Sequence, residues 1–344
     1  MRGPRPSRRF LSKFPGTSQP RPSRWVDDGA VPAIAVPRLF GTEWPLWLGA
    51  ALVLQGGSMA MFARLHRRVL ADAGLRLRPA TALAIVYAGN AVSATIPFAG
   101  STAGTAFTYR QYVRRGATGP MAGWAIAVAG AFSTITFGVL VGIGAIADGS
   151  TVAALAGVFG IVAMAVPVVA VIVALHQPAA RIRLEQMSVW VLTRTKRIVR
   201  RPKMDPNEAV ARAFDQLSAY HMQWRHGLTA GVYGALNWLL DALCLWTVLQ
   251  AFDVSLPFRS LPLLYAAVVA ASSIGITPAG IGTVEAALAL ALTNLGGTGV
   301  HSLLAAVVYR AISTWLVLLI GWSVLAVIRR QSMPAHVLPV ATPA

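Results

Sequence analysis

Acidic residues are scarce in this chain. Its 344 residues hold only 12 Asp and Glu against 30 Lys and Arg, and just three of the basic residues are lysines: Lys13, Lys196 and Lys203. Charge of either sign is thin, at 12% of residues, about half the ~25% of an ordinary soluble domain. So few charges cannot cover a water-exposed surface of this size, which excludes a soluble enzyme. Cysteine is nearly absent. Cys244 stands alone, so intrachain disulfides, thiolate-held metal clusters and a CxxC redox pair are excluded. The six histidines show no metal-ligand spacing: His221 and His226 are five apart, and His66, His176, His301 and His336 are isolated. P-loop, GxSxG and HExxH motifs are missing, and no Ser or Thr stands beside a base placed by a motif. The expectation is a protein with no cofactor, no metal and no catalytic activity.

What the chain has in abundance is apolar side chain, 56% of residues, with a mean hydropathy of +0.60. A bilayer crossing takes ~20 apolar residues as helix. Eight segments qualify by composition: 44–63, 80–99, 120–147, 152–175, 227–251, 261–277, 280–293 and 302–327. Six are comfortable spans. The segment 80–99 holds Asn90 and runs into Pro97, and 280–293 has only 14 residues. Short or Pro/Gly-broken apolar segments are candidates for re-entrant helices. The expected fold is therefore all-α: a polytopic bundle of seven to eight hydrophobic segments, two of them broken. Residues 1–43 read as a basic disordered tail, 44–330 as the transmembrane domain and 331–344 as a C-terminal tail.

The surplus of positive charge is explained by topology rather than by nucleic acid, because nearly all of it lies outside the apolar blocks. The stretch 176–226 carries ten Lys and Arg against four acids and reads as cytoplasmic. Within it, Asp205, Pro206 and Glu208 form a helix start. Val210, Phe214, Leu217, Tyr220 and Trp224 then mark an amphipathic helix, either a plain connector or a surface element. Walking outward from this loop places Arg329 and Arg330 inside, and Arg110, Arg114 and Arg115 inside. A conflict follows near the N-terminus. If 80–99 fully spans, the basic loop 64–78 lies outside, against the positive-inside rule. If 80–108 dips in and returns, that loop is cytoplasmic but the basic tail is outside.

Charges within a bilayer cost ~2.5–3.5 kcal/mol each on insertion scales, so Asp241, Glu285 and Arg310 each need a reason. Asn237 lies one helical turn before Asp241, on the same face. Arg310 is expected to neutralise Asp241, Glu285 or both, as a structural ion pair or as part of a polar pathway for a head group or proton. Two Pro/Gly breaks flank these charges. The first runs from Ile96 through Pro97, Gly100 and Gly104 to Arg110; the second runs from Thr277 through Pro278, Gly280 and Gly282 to Glu285. Both follow an apolar segment containing Tyr-Ala (Tyr87-Ala88 and Tyr265-Ala266). Broken backbone survives in a membrane only where protein buries it or it lines a wet cavity. Paired breaks in corresponding halves point to a site between inverted repeats, and amides at a half-helix start suit an anion such as phosphate. Ordinary loop punctuation at a membrane surface is the plainer alternative.

These residues carry a resemblance. The stretch NAVSATIPFAGSTAGTAFTYRQYVRRGAT, the stretch TPAGIGTVEAALALAL with its P-x-G-x-G-x-x-E pattern, and VVYRAISTWLVLLIGW resemble the transmembrane domain of lysylphosphatidylglycerol synthetases. That domain is also found alone, as flippase-like membrane proteins. Asn237-Trp238 to Asp241 resembles the family's fifth-helix pattern. The resemblance covers about residues 40–330. It implies a bundle with re-entrant segments that moves a phospholipid or related lipid, with Asn90, Pro97, Gly100, Gly104, Arg110, Pro278, Gly280, Gly282, Glu285 and Arg310 as its site. Ser101-Thr102 departs from the Gly or Glu that many members carry. The aminoacyl-transferring cytosolic domain has no room after Arg330, so synthetase activity is not expected. The family usually has one more helix before 44–63, the crossing that the charge count finds missing. Met1 is then expected to be an internal start, or the helix to be lost.

Together these readings predict a bacterial, multi-pass plasma-membrane protein that translocates an anionic or zwitterionic phospholipid or a polyprenyl-linked lipid. Asn237 and Asp241 are expected to join its polar cavity. A membrane scaffold for a lipid-modifying enzyme and an intramembrane lipid enzyme are the alternatives.

Overall fold

The computed structural model describes residues 43–149, 222–273, 277–294 and 299–332, with isolated positions between 182 and 215. The N-terminal tail, the segment expected at 152–175, most of the 176–226 loop with its amphipathic helix, and the C-terminal tail lie outside the described residues. Nine α-helical stretches are described here. They are α1 (Trp44–Asp72), α2 (Pro79–Thr95), α3 (Gly100–Val113), α4 (Gly119–Asp148), α5 (Trp224–Ala251), α6 (Leu261–Ser273), α7 (Thr283–Asn294), α8 (Gly299–Arg310) and α9 (Val317–Ser332). A π-helical stretch, Ala311–Leu316, joins α8 to α9, making one run long and apolar enough to cross a membrane. Helices α1, α4 and α5 meet the same requirement.

Local chemistry sets the boundaries. Proline near the first turn opens α1, α2 and α4, where its missing amide has no intrahelical partner to lose. Thr118 also caps α4 by accepting from the Met121 amide at 3.3 Å, and Gly149 closes that helix in the left-handed conformation. Helix α2 stops at Thr95 because Ile96, held extended at φ −101° and ψ 113°, precedes Pro97.

Helices α1 and α5 form the antiparallel centre of the bundle. Trp47 packs edge-on against Trp246, the Ser58 hydroxyl donates to the Asn237 carbonyl at 2.9 Å, and His226 reaches Asp72 at 2.6 Å. Small residues bring the other helices close. Gly234 of α5 lies against Phe132 and Thr136 of α4, and Gly321 of α9 lies against the Tyr87 carbonyl of α2. A lipid-facing bundle gains little from hydrophobic burial between helices, so such close approaches and the few interhelical hydrogen bonds hold it together.

The short helices decide one side of the topology conflict, the placement of the loop 64–78. At 17 and 14 residues, α2 and α3 are ~25 and ~21 Å long at 1.5 Å per residue, less than the ~30 Å hydrocarbon core. They pack antiparallel, Gly104 on Gly89 and Ser93. The far end of α3 returns to α1's C-terminal half, where Tyr112 meets His66 Nδ1 at 2.8 Å. Thus α2 and α3 form a re-entrant hairpin, and the basic loop 64–78 shares a face with Arg110, Arg114, Arg225 and Arg329. That face carries the basic residues that the positive-inside rule assigns to the cytoplasmic side.

A second hairpin corrects the expectation that 261–277 is a comfortable span, while α7 also packs against the start of the last span, on α8. As described, α6 and α7 have only 13 and 12 residues, ~20 and ~18 Å. Helix α6 starts beside the late part of α4, Pro262 against Gly144. Helix α7 starts at the buried Glu285–Arg310 contact and runs back to the face from which α6 entered. Among the described residues the helices form two sets, each a long helix, a broken hairpin and a long helix, and the two hairpins enter from opposite faces. This is an inverted repeat: α4 packs on α6 as the α8–α9 run packs on α2.

Candidate functional site

The tips of the two hairpins meet inside the bundle around a cavity of about 420 Å³. Ile96, Phe98, Gly100 and Ser101 line it from the first break, and Thr277, Ala279 and Gly280 from the second. Arg310 and Asn90 face it from the neighbouring helices, with Met59 on α1. Hydroxyl groups dominate its polar lining: Ser93, Ser272, Ser273, Ser313 and Thr314 join those of the breaks. Sequence reading missed these hydroxyls. Their signal is small polar residues on either side of each break, which is weak because Ser and Thr are tolerated throughout membrane helices by bonding to their own backbone, as Ser272 does to the Val269 carbonyl at 2.8 Å.

The two tips share one backbone device. Each has a proline followed by a non-glycine residue in the left-handed region, Phe98 at φ 56° after Pro97 and Ala279 at φ 56° after Pro278. Proline at the second and a positive φ at the third position is the pattern of a type II turn, and the second tip closes with the Gly280 amide on the Thr277 carbonyl at 3.0 Å. Glycine is the usual residue there, so both side chains hold strained backbone. The next residue, Gly280, has φ 68° as well, and a Cβ on it would approach a Val284 methyl within 2.7 Å. Gly100 has no room for a Cβ beside the Ser93 carbonyl, which lets the start of α3 lie on α2.

Arg310 pins the second tip. Its Nε donates to Glu285 Oε1 at 3.2 Å, Nη1 to Thr314 Oγ1 at 2.6 Å and Nη2 to the Ala279 carbonyl. Both charges are buried, Arg310 at 5% and Glu285 at 7% exposure. The other Glu285 oxygen, Oε2, accepts from the Gly282 amide at 2.7 Å, the acid's half of a capping box at the start of α7. The anion-binding position at this half-helix is thus filled by the protein's own carboxylate. Helix α3 differs. It has no side-chain cap, and its first residues, Gly100 and Ser101, face the cavity. Among the described residues Arg310 finds partners for three of the five N–H donors of a guanidinium.

The remaining residues singled out from the sequence are dispersed. Asn90 donates to the Val86 carbonyl at 3.0 Å and lines both this cavity and a smaller one of about 260 Å³, to which Gly104 also belongs. Pro97 forms the first turn, and Gly282, at φ 85°, precedes α7; neither lines the cavity. Asn237 is spent on Ser58, whose hydroxyl also reaches its Oδ1 at 3.1 Å. Asp241 is not Arg310's hydrogen-bonded partner. It accepts from the Tyr265 hydroxyl at 2.6 Å and the Tyr309 hydroxyl at 3.4 Å, and it is not among the residues lining the cavity. Arg110 lines a separate cleft at the cytoplasmic end.

Among the described residues no group of three or more His, Cys, Asp or Glu is placed to hold a metal. No curated protein matches the chain. Residues 35–321 match the family described as the lysylphosphatidylglycerol synthase TM region. With well over half its length matched, and with the broken-hairpin motifs inside that range, the chain belongs to this family of membrane domains.

Proposed function

We propose that this chain is a flippase-type lipid transporter of a bacterial plasma membrane, acting without catalysis. One observation carries the reading: two re-entrant hairpins from opposite faces end at one polar cavity that also holds a buried arginine. Neither hairpin crosses the membrane, so each tip is a thin barrier between the cavity and its own face. Alternating access across an inverted repeat takes this form. The cavity has the size of a small-molecule site and suits a head group, with the acyl chains left in the surrounding hydrocarbon. The guanidinium of Arg310 and the uncapped first turn of α3 supply donors for a phosphate oxygen. The family's link to lysylphosphatidylglycerol chemistry supports a lipid as the guest. Nothing in the sequence provides a nucleotide site, so the driving force is an ion gradient, the lipid gradient itself or a partner.

The test is reconstitution of the purified protein in vesicles holding fluorescent lipids of several head groups, with and without a proton gradient. Translocation is read by chemical quenching of the outer leaflet. The wild type is expected to move at least one phosphate-bearing lipid faster than protein-free vesicles, and Glu285→Gln to abolish that movement while still inserting. Equal rates for wild type and Glu285→Gln would sink the mechanism.

A further inference from the structure

A larger cleft, about 760 Å³, opens at the cytoplasmic end between α3 and α9, over Val92 of α2. Its walls are apolar, formed by Ala103, Ala106 and Phe107 on one side and Leu325 and Ile328 on the other. Its mouth is not. Arg110, Arg114 and Arg329 border it, all exposed, and among the described residues none has a carboxylate partner. Arg115, the next cation in line, is turned to its own helix, with Nη1 on Gln111 Oε1 at 2.6 Å. Three exposed guanidinium groups above an apolar slot, on the face to which the positive-inside rule assigns basic side chains, match the chemistry of an anionic lipid. The cleft also has a direction. The same α3 that borders it offers Gly100 and Ser101 to the central cavity, and the α8–α9 run that borders it offers Val317 and Leu318 there.

We infer that the α3–α9 cleft is a binding site for an anionic phospholipid of the cytoplasmic leaflet. The phosphate sits on Arg110, Arg114 and Arg329, and an acyl chain lies along the Ala103–Phe107 and Leu325–Ile328 walls. Resting on the transport reading above, the site serves as the loading position from which a lipid reaches the cavity along α3. The lipid binding itself is independent of that reading.

The test is lipid retention by the purified full chain, measured by native mass spectrometry from micelles holding equal amounts of phosphatidic acid, whose head group is phosphate alone, and phosphatidylcholine, whose cation cancels it. Wild type is expected to retain phosphatidic acid at least tenfold over phosphatidylcholine. Arg110→Gln/Arg114→Gln/Arg329→Gln is expected to lose that preference. Removing three cytoplasmic charges can disturb insertion, so Ala106→Trp provides a second arm. It keeps every charge, fills the slot and is expected to lower phosphatidic acid retention by a similar factor. Glu285→Gln is expected to keep the preference while losing translocation, which separates failure of the cleft from failure of the transport reading. Equal retention of the two lipids by wild type, an undiminished preference in Ala106→Trp, or displacement of the lipid by millimolar inorganic phosphate would overturn the proposal.

Discussion

Replacing Glu285 by glutamine tests how the second hairpin tip is held. The carboxylate satisfies two donors at once, Arg310 Nε at 3.2 Å and the Gly282 amide at 2.7 Å. Glutamine has one acceptor oxygen, so one donor loses its partner and the new NH2 group is set against an N–H. Breaking a buried pair on one side costs ~3–5 kcal/mol, because it strands the other charge. Arg310 keeps Thr314 and the Ala279 carbonyl, which places the loss at the low end, about 3 kcal/mol. At 1.4 kcal/mol per factor of ten, that is roughly a hundredfold in the equilibrium keeping the tip docked. The double variant Glu285→Gln/Arg310→Gln removes the stranded cation as well, and is expected to be more stable than Glu285→Gln by ~1–2 kcal/mol, within the range of coupling between contacting residues. Thermal unfolding of wild type, Glu285→Gln, Arg310→Gln and the double variant in one detergent, with hydrogen exchange over residues 278–285, measures this cycle. Additive losses in the double variant would refute the reasoning, since they mean that the two charges do not share a site.

The remaining predictions address packing, strain and topology. Gly321→Ala drives a methyl into the Tyr87 carbonyl and Ala91 and should cost ~1–3 kcal/mol as overpacking, read as a lower melting temperature. Ser58→Ala removes the α1–α5 hydrogen bond and should cost only about 0.6 kcal/mol, with lipid translocation unchanged; a larger loss would show that the bond anchors more than one helix pair. Ala279→Gly relieves left-handed backbone and should stabilise the tip by ~0.5–1 kcal/mol net of the entropy of glycine, visible as slower exchange at Gly280 and Ile281. For topology, Cys244 is buried, so single added cysteines can be read against a quiet background. Ala80→Cys and Val113→Cys should react with an impermeant thiol reagent on the same face, and Ser255→Cys on the opposite one. Labelling of residues 80 and 113 from opposite faces would exclude the re-entrant hairpin.

Different parts of this arrangement were legible from sequence to different degrees. The long helices could be read because hydrocarbon thickness imposes a length that apolar runs must meet. Both breaks were legible because proline and glycine act on their own backbone, whatever surrounds them. The choice of partner for Arg310 was not. Asp241 and Glu285 are both acids in apolar segments, and only the rotation of α5 about its axis turns Asp241 to Tyr265 and Tyr309. The extent of α6 misled in a similar way. The sequence reading carries the apolar run on to residue 277, whereas the described helix, Leu261–Ser273, is too short to cross. The left-handed Phe98 and Ala279 run against the glycine preference of their turn position, and tertiary contacts such as Arg310 on the Ala279 carbonyl are what hold them there. Asn237, expected in the polar cavity, instead accepts from Ser58 of α1 and is not among the cavity's lining residues.

The π-helical stretch at Ala311–Leu316 has a consequence for the whole last span. One residue more than an α-helical turn, inserted at that point, rotates everything beyond it by ~100°. The last span therefore carries two angular phases. The first aims Arg310 at Glu285, and the second sets Gly321 against Tyr87 and Arg329 at the cytoplasmic cleft. Deleting one residue between 311 and 316 merges the phases: either half can then keep its alignment, but not both. A helix of unchanged length and hydropathy would still insert, with its two ends no longer addressing the same protein.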